Sequence, residues 1–235
     1  MLPLLVTAAT PHGVATSRPW GVPLDALLSS VLWHRRKWEA RAAGQHLAYH
    51  PDLEPEAIEL PLARCHDPDH QAAWHWMATF ADLRPGGGEP DIRWRTSRTD
   101  RRRLQQLAPV TGNVVSDTSG RYLQRTVPVI AHPVATLTWH AVGDPDGIRE
   151  LLAELPSIGK HRGTGEGVVA RWTVTDAPDV AAWSAGHEHE PGVLGRTVPL
   201  RCLKPGMVTG EVGFGAIRPP YLHPFSRTDT AHPAR

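Results

Sequence analysis

Lysine is scarce in this chain: of 25 cationic residues, only Lys37, Lys160 and Lys204 are not arginine. Arginine makes the better bidentate phosphate contact, but an excess spread over the whole chain reflects codon usage in a GC-rich genome, so it does not by itself announce a phosphate partner. Cysteine is nearly absent too. Cys65 and Cys202 are the only two, far apart and matching neither a zinc-ligand spacing nor a secreted disulfide framework, which predicts free thiols and no metal. Long apolar runs are missing. The opening "MLPLLVTAAT" has no basic stretch before it and is too short for a secretion signal, and no segment reaches the roughly 20 residues of a membrane span. A cytoplasmic location without a membrane partner is the expectation. Bulk charge is missing as well: with a net charge of +1, any nucleic-acid partner must be held by local patches.

What is present suffices for a core, since 40% of 235 residues are hydrophobic. The 23 prolines and 21 glycines are scattered and predict many loops around a regular centre. Residues 2–9 read as a strand. Leu24, Leu27, Leu28, Val31 and Leu32 follow at helical spacing, and the turns after them carry His34, Arg35, Arg36 and Lys37, which suit a helix C-terminus. "AIELPLARC" (57–65) reads as a strand. Residues 66–130 read as a thumb-like excursion holding "RPGGGEPD" and the basic "DIRWRTSRTDRRR" (91–103), with Arg93, Trp94, Arg95, Arg98, Arg101, Arg102 and Arg103. So many like charges on a short segment repel each other, with few apolar residues to pin them, and predict a limb that is mobile alone and orders when RNA phosphates pair with its guanidinium groups.

From residue 134 the pattern sharpens. "VATLTWHAV" is a strand, Asp144 caps a helix that starts at Pro145, and Ile148, Leu151, Leu152 and Leu155 form its apolar stripe. The glycine-rich "LPSIGKHRGTGEG" comes next, then the strand "VVARWTV". Strand, helix and strand with one covered face make half of a ferredoxin-like fold, and the N-terminal strand and helix supply part of the other half. Residues 196–221 carry Gly206, Gly210, Gly213 and Gly215 among apolar residues, as strands in close backbone approach do. The polar tail, 224–235, reads as disordered.

The glycine loop is not a nucleotide-phosphate loop: its lysine comes early, and a strand follows where a helix is required. "GTGEG" also fails as a dinucleotide fingerprint, because it follows a helix. Two readings stay open. One is a polymer-backbone grip, with exposed N–H groups at Gly159, Gly163, Gly165 and Gly167 and charge from Lys160, His161 and Arg162. The other is a glycine-rich connection whose cations are merely solvated.

"LLAELPSIGKHRGTGEGVVARW" resembles the glycine-rich loop of the RAMP superfamily of CRISPR effector proteins. The resemblance extends through "LPLARC", "SGRYLQRTVP", "WHAVGDPDGIRELL" and "RPPY", and is to the small backbone subunit of type IV complexes that caps the 5′ end of the guide. It implies an α+β chain with a ferredoxin-like (RRM-like) core over 1–65 and 131–223, the latter ending in a β-rich part, and with 66–130 inserted. It implies that Gly159, Lys160, His161, Arg162, Gly163, Gly165 and Gly167 face CRISPR guide RNA. The partners implied are other RAMP backbone subunits, a large subunit of the effector complex and target nucleic acid, with no cofactor. The arginine limb, with Trp94 available to stack on a base, would add RNA contacts.

RAMP relatives include metal-independent endoribonucleases that process repeat RNA, and cleavage of that kind needs a base near the 2′-OH and a cation. His34 with Lys37, or His161 with Lys160, would serve. With 14 histidines in the chain neither pair stands out, so a non-catalytic binder is expected. Cys65, His66, His70 and His75 form a loose potential metal cluster, and "HEHE" (187–190) approaches a zinc-protease pattern. Histidines two residues apart cannot share a helix face. Both groups are read as surface histidines.

Overall fold

The computed structural model describes residues 1–235 except 17–20, 48–49, 68–69, 84–87, 98–99, 108–117, 120–122, 161, 163–164 and 235. In chain order the elements are β1 (Leu2–Ala9), β2 (Val14–Ala15), α1 (Leu24–Ala42), β3 (Arg64–Asp67), β4 (His70–Trp76), β5 (Asp91–Ser97), α2 (Arg101–Leu107), β6 (Arg125–His132), β7 (Thr136–Gly143), α3 (Pro145–Ala153), β8 (Arg171–Asp176), α4 (Ala182–His187), β9 (Glu188–Glu190), β10 (Val193–Leu194), β11 (Val198–Pro199), β12 (Val212–Ala216) and β13 (Arg227–Ala231). The class is α+β, with several small antiparallel sheets. No helix among the described residues is long and apolar enough to cross a membrane.

Alternation along β1 buries Leu4, Val6 and Ala8. β1 pairs antiparallel with β7 on one side and β8 on the other. Leu137, Trp139 and Ala141 of β7 and Val174 of β8 join the same buried layer, which α1 covers with Leu24, Leu27, Leu28 and Val31, and α3 with Ile148, Leu151 and Leu152. Each such side chain withdrawn from water contributes about 1.5–3 kcal/mol for the larger aliphatic and aromatic residues. Trp139 is fully buried, and its indole N–H donates to Val22 O at 2.8 Å. α3 begins as expected: the Asp144 side chain accepts from the backbone N–H groups of Asp146 and Gly147, with Pro145 at the first position.

The outer edge of β7 is not open. Thr79 N–H donates to His140 O, Asp82 N–H to Thr138 O and Val142 N–H to Met77 O, each at 2.8 Å, so residues 77–82 run beside β7 as an irregular fourth member. The lateral order is therefore 77–82, β7, β1, β8. Residues 66–130 do not all leave the core: Trp76, Ala78, Phe80 and Ala81 are buried, and the described chain departs only with the β5–β6 hairpin. β6 is tied back through β2, where Val14 pairs with His132. Of the strand expected over 57–65 only its end forms, as part of the β3–β4 hairpin. Pro61 offers no N–H to a ladder, and instead its carbonyl accepts from Asp144 N–H at 3.0 Å.

The C-terminal part has a sheet of order β11, β13, β12 and a separate β9–β10 pair. The tail expected to be disordered is thus corrected: residues 227–231 form the central strand of that sheet. Thr230 and Ala231 are buried while Arg227 and Asp229 point outward, a β-branched alternation that a polar composition concealed. The glycines do allow close approach there, because a Cβ on Gly210 would collide with Pro233 O.

Candidate functional site

Positive φ at Gly159 (77°) and Gly167 (71°) folds residues 155–170 back on themselves. A Cβ on Gly159 would lie 2.5 Å from Ala15 O, and one on Gly167 would overlap Ile158 O, so glycine is required at both turns. Backbone donors here are largely engaged. Lys160 N–H donates to Ala15 O at 2.7 Å, Gly167 N–H to Gly13 O at 2.9 Å and Gly165 N–H to Arg162 O at 3.3 Å. The sequence suggested a cradle of exposed N–H groups at Gly159, Gly163, Gly165 and Gly167; those of Gly165 and Gly167 instead close the loop on itself and on Gly13. The side chains of Lys160 and Arg162 remain exposed. His161 and Gly163 lie outside the described residues.

Sequence reasoning overlooked Glu166. It is only 1% exposed, its carboxylate pairs with the Arg95 guanidinium, and Arg93 Nη1 lies 3.9 Å away. Arg93 and Arg95 occupy one face of β5, as residues two apart must, and Arg93 also pairs with Asp91 at 3.3 Å. Two of the limb's arginines, Arg93 and Arg95, thus have a counter-charge in Glu166. One buried carboxylate from the glycine loop holds the hairpin against that loop. The opposite face of β5–β6 carries Ile92, Trp94 and Ile130, all more than half exposed, with Ile92 and Ile130 directly paired across the strands. Arg101, Arg102 and Arg103 open α2, whose first turn is capped by Asp100 accepting from Arg103 N–H at 3.1 Å. Arg98 lies outside the described residues.

His34 and Lys37 sit exposed on α1. Of their basic neighbours, Arg35 bridges to Glu150 and Glu154 of α3, and Arg36 to Glu56. Those two are packing contacts between α1 and its surroundings.

A second, buried constellation gathers four residues that the sequence had left as free thiols and surface histidines. Cys65 and His75 face each other across the β3–β4 hairpin; His187 ends α4; Cys202 lies in a short 3-10 helix, Leu200–Cys202. His75 and His187 are 1% and 0% exposed. Their Nε2 atoms are 3.0 Å apart, the two Sγ atoms 3.8 Å, and Cys202 Sγ is 3.6 Å from His187 Nε2. All four ligand atoms lie within 4.8 Å of one another. The imidazole of His187 is oriented from behind, its Nδ1 2.7 Å from Trp183 O, and it stacks on the Trp183 ring, over which Lys204 Nζ sits at 3.6 Å. Burial, reinforced by the positive charge of Arg196, pushes His75 down to about 3, so its imidazole is neutral. The hydrogen bond from Cys202 holds Cys65 well below the usual thiol range, against the opposing loss of water around it. His66 and His70, grouped with Cys65 by sequence proximity, are not described at side-chain level. What the sequence offered was two pairs, Cys65 with His75 and His187 with Cys202, each within one local segment.

Arg196 is the third buried polar feature. Its guanidinium donates to Trp76 O, to Ala78 O at 2.8 Å and to Ile217 O at 2.7 Å, and lies 3.6 Å from Asp25 Oδ2. Asp25 in turn accepts from Tyr221 Oη at 2.9 and 3.0 Å. Loss of water around Asp25 raises its pKa despite these partners. The network ties α1 and the 76–78 segment to the C-terminal part. No protein-family model and no curated protein matches this chain.

Proposed function

We propose that this chain is a non-catalytic guide-RNA-binding subunit of a multi-subunit, RNA-guided effector complex of the RAMP kind, gripping the 5′ end of the guide at its glycine loop. One observation carries the reading: Glu166 of the loop is clasped by Arg93 and Arg95 of the hairpin, so loop and hairpin form a continuous surface with Lys160 and Arg162 exposed on it. Single-stranded RNA is gripped by phosphate contacts together with stacking of splayed bases. Trp94, 65% exposed on the far face of the same hairpin, offers a stacking platform either for a base or for a neighbouring backbone subunit. The lateral order 77–82, β7, β1, β8, with α1 and α3 on one face, supports a ferredoxin-like core as the scaffold. Because the N–H groups of Lys160, Gly165 and Gly167 are bonded within the fold, the grip in this reading belongs to side chains.

Binding of single-stranded repeat RNA across a salt series tests it. Lys160→Ala with Arg162→Ala should weaken binding irrespective of RNA sequence and flatten the log–log salt slope by about 0.7 per lost contact. An unchanged slope would remove the loop from the interface. Site-specific cleavage of repeat RNA in chelator, abolished by His34→Ala, would replace the binder with a nuclease.

A further inference from the structure

The C-terminal part is held by few apolar side chains. Its own cluster buries Leu194, Val198 and Ala231, with Cys202, Leu203 and Met207 half-buried around them. A unit with so small a core needs a staple, of which a disulfide or a structural metal is the usual kind. The Cys65 and Cys202 sulfurs are 3.8 Å apart, whereas a disulfide requires about 2.05 Å. A tetrahedron with metal–sulfur bonds of about 2.3 Å and metal–nitrogen bonds of about 2.0–2.1 Å has edges of about 3.8 Å between sulfurs, about 3.6 Å between sulfur and nitrogen and about 3.3 Å between nitrogens. Three of the six corresponding separations here are 3.8, 3.6 and 3.0 Å, and all six lie within 4.8 Å.

Proton bookkeeping points the same way. His187 Nδ1 faces a carbonyl, which only accepts, so that nitrogen carries the hydrogen and Nε2 presents a lone pair inward. A backbone carbonyl behind an imidazole is the usual outer partner of a metal-bound histidine. His75 Nε2 faces the same centre, and its Nδ1 has no hydrogen-bond partner although the residue is buried. With Nε2 of His187 a lone pair, the 3.0 Å separation between the two nitrogens requires either a proton on His75 Nε2 or a cation between them. Two thiolates, two neutral imidazoles and one divalent cation sum to zero charge, which suits a partly buried site beside Arg196.

We propose that Cys65, His75, His187 and Cys202 form a tetrahedral zinc site of structural type, fastening the β3–β4 hairpin to the C-terminal part. The protein supplies all four ligands and leaves no open position for water or substrate, so the metal stabilises the fold and does no chemistry. Cys65 and His75 come from the hairpin packed beside β7, His187 and Cys202 from the chain that follows β8, so the metal closes a long loop. This inference is independent of the RNA reading and survives or fails without it.

Metal analysis of the full-length, untagged protein purified under reducing conditions decides the matter. The expected content is about one zinc per chain, falling to about zero in Cys202→Ser and His187→Asn and unchanged in His34→Asn. Should the ligand variants not fold, the wild-type protein stripped by chelator and refilled with cobalt(II) keeps the question open to measurement: a tetrahedral site with two thiolates gives intense visible bands and sulfur-to-metal charge transfer. Protein that is purified without zinc and develops no such spectrum with cobalt overturns the proposal. Retention of full zinc by both ligand variants, or a Cys65–Cys202 disulfide in the reduced native protein, overturns it equally.

Discussion

The N-terminal sheet and the C-terminal part differ in what holds them. Around β1, β7 and β8 a continuous apolar cluster runs from Leu4 to Val174, including Trp139, Leu28 and Leu152. Beyond β8, the buried apolar cluster shrinks to Leu194, Val198 and Ala231, and polar chemistry takes over: the Arg196 guanidinium donates to the carbonyls of Trp76, Ala78 and Ile217, and the four Cys and His side chains converge. Apolar burial is non-directional and tolerates repacking. A guanidinium surrounded by carbonyls is directional and does not. The first region tolerates loss of one contact among many, whereas the second concentrates its stability in a few groups.

Arg196 offers the sharpest way to break that contrast. Arg196→Met takes away the guanidinium on which the buried carbonyls of Ala78 and Ile217 and the Asp25 carboxylate converge, and removal of one member of a buried pair costs about 3–5 kcal/mol. Urea denaturation should show that loss, and adding Asp25→Leu should recover much of it, because replacing both partners is far milder than orphaning one. If the double variant is no better than the single one, the carbonyls and not Asp25 are what Arg196 serves. Leu152→Ala in the helical layer is the control: fully buried, it should cost about 2–5 kcal/mol through transfer and cavity terms, with no partner change able to rescue it.

How far these two regions were legible differs in the same way. The N-terminal layer could be read because helix and strand periodicities put the same leucines inward in sequence and in space: Leu24, Leu27, Leu28 and Val31 all lie where spacing placed them. Leu32, the last of that stripe, is only half-buried. Residues 74–83 were not recognised as core, because "WHWMATFADL" carries no clean period; its Thr79 and Asp82 bond β7 through an irregular edge. The candidate RNA surface was half visible. The glycines and cations of the loop stood out, but Glu166 looked like one more solvated acid between glycines, and only the fold brings it to Arg93 and Arg95. The Cys–His cluster could not be assembled from spacing, since its halves lie 112 residues apart at His75 and His187. Local motif rules see ligand pairs only when they are neighbours.

A smaller effect tests the outer ring of the polar network. Tyr221→Phe removes the hydroxyl that donates to both oxygens of Asp25 and keeps the ring edge against Phe80, 6.2 Å between centroids. The expected loss is about 1–3 kcal/mol, the desolvation penalty of an acceptor left short of a donor, read as a shift of the urea midpoint at constant slope. A neutral outcome would mean that Arg196 and the Ala26 N–H satisfy Asp25 without the hydroxyl. In the apolar region the matching polar deletion is Asp144→Ala at the start of α3, where loss of the cap should cost about 1 kcal/mol.

The smallest effect lies at the seam between hairpin and core. His132 ends β6 and pairs with Val14 of β2; its Nε2 lies 3.3 Å from Thr16 Oγ1, and burial lowers its pKa below the ordinary 6.5. The folded state therefore prefers the neutral ring, while the unfolded chain takes up a proton below that value. Stability from this group is present above pH 6.5 and is lost as pH falls toward the lower folded pKa. The ring is partly open to solvent, so the loss is modest. Thermal midpoints compared on the two sides of that pH should fall more on acidification for the wild-type protein than for His132→Gln, which has no ring to protonate. Equal falls in both proteins would locate the acid sensitivity elsewhere, and would leave the hairpin's attachment to Arg93, Arg95 and Glu166 in place of the β2–β6 seam.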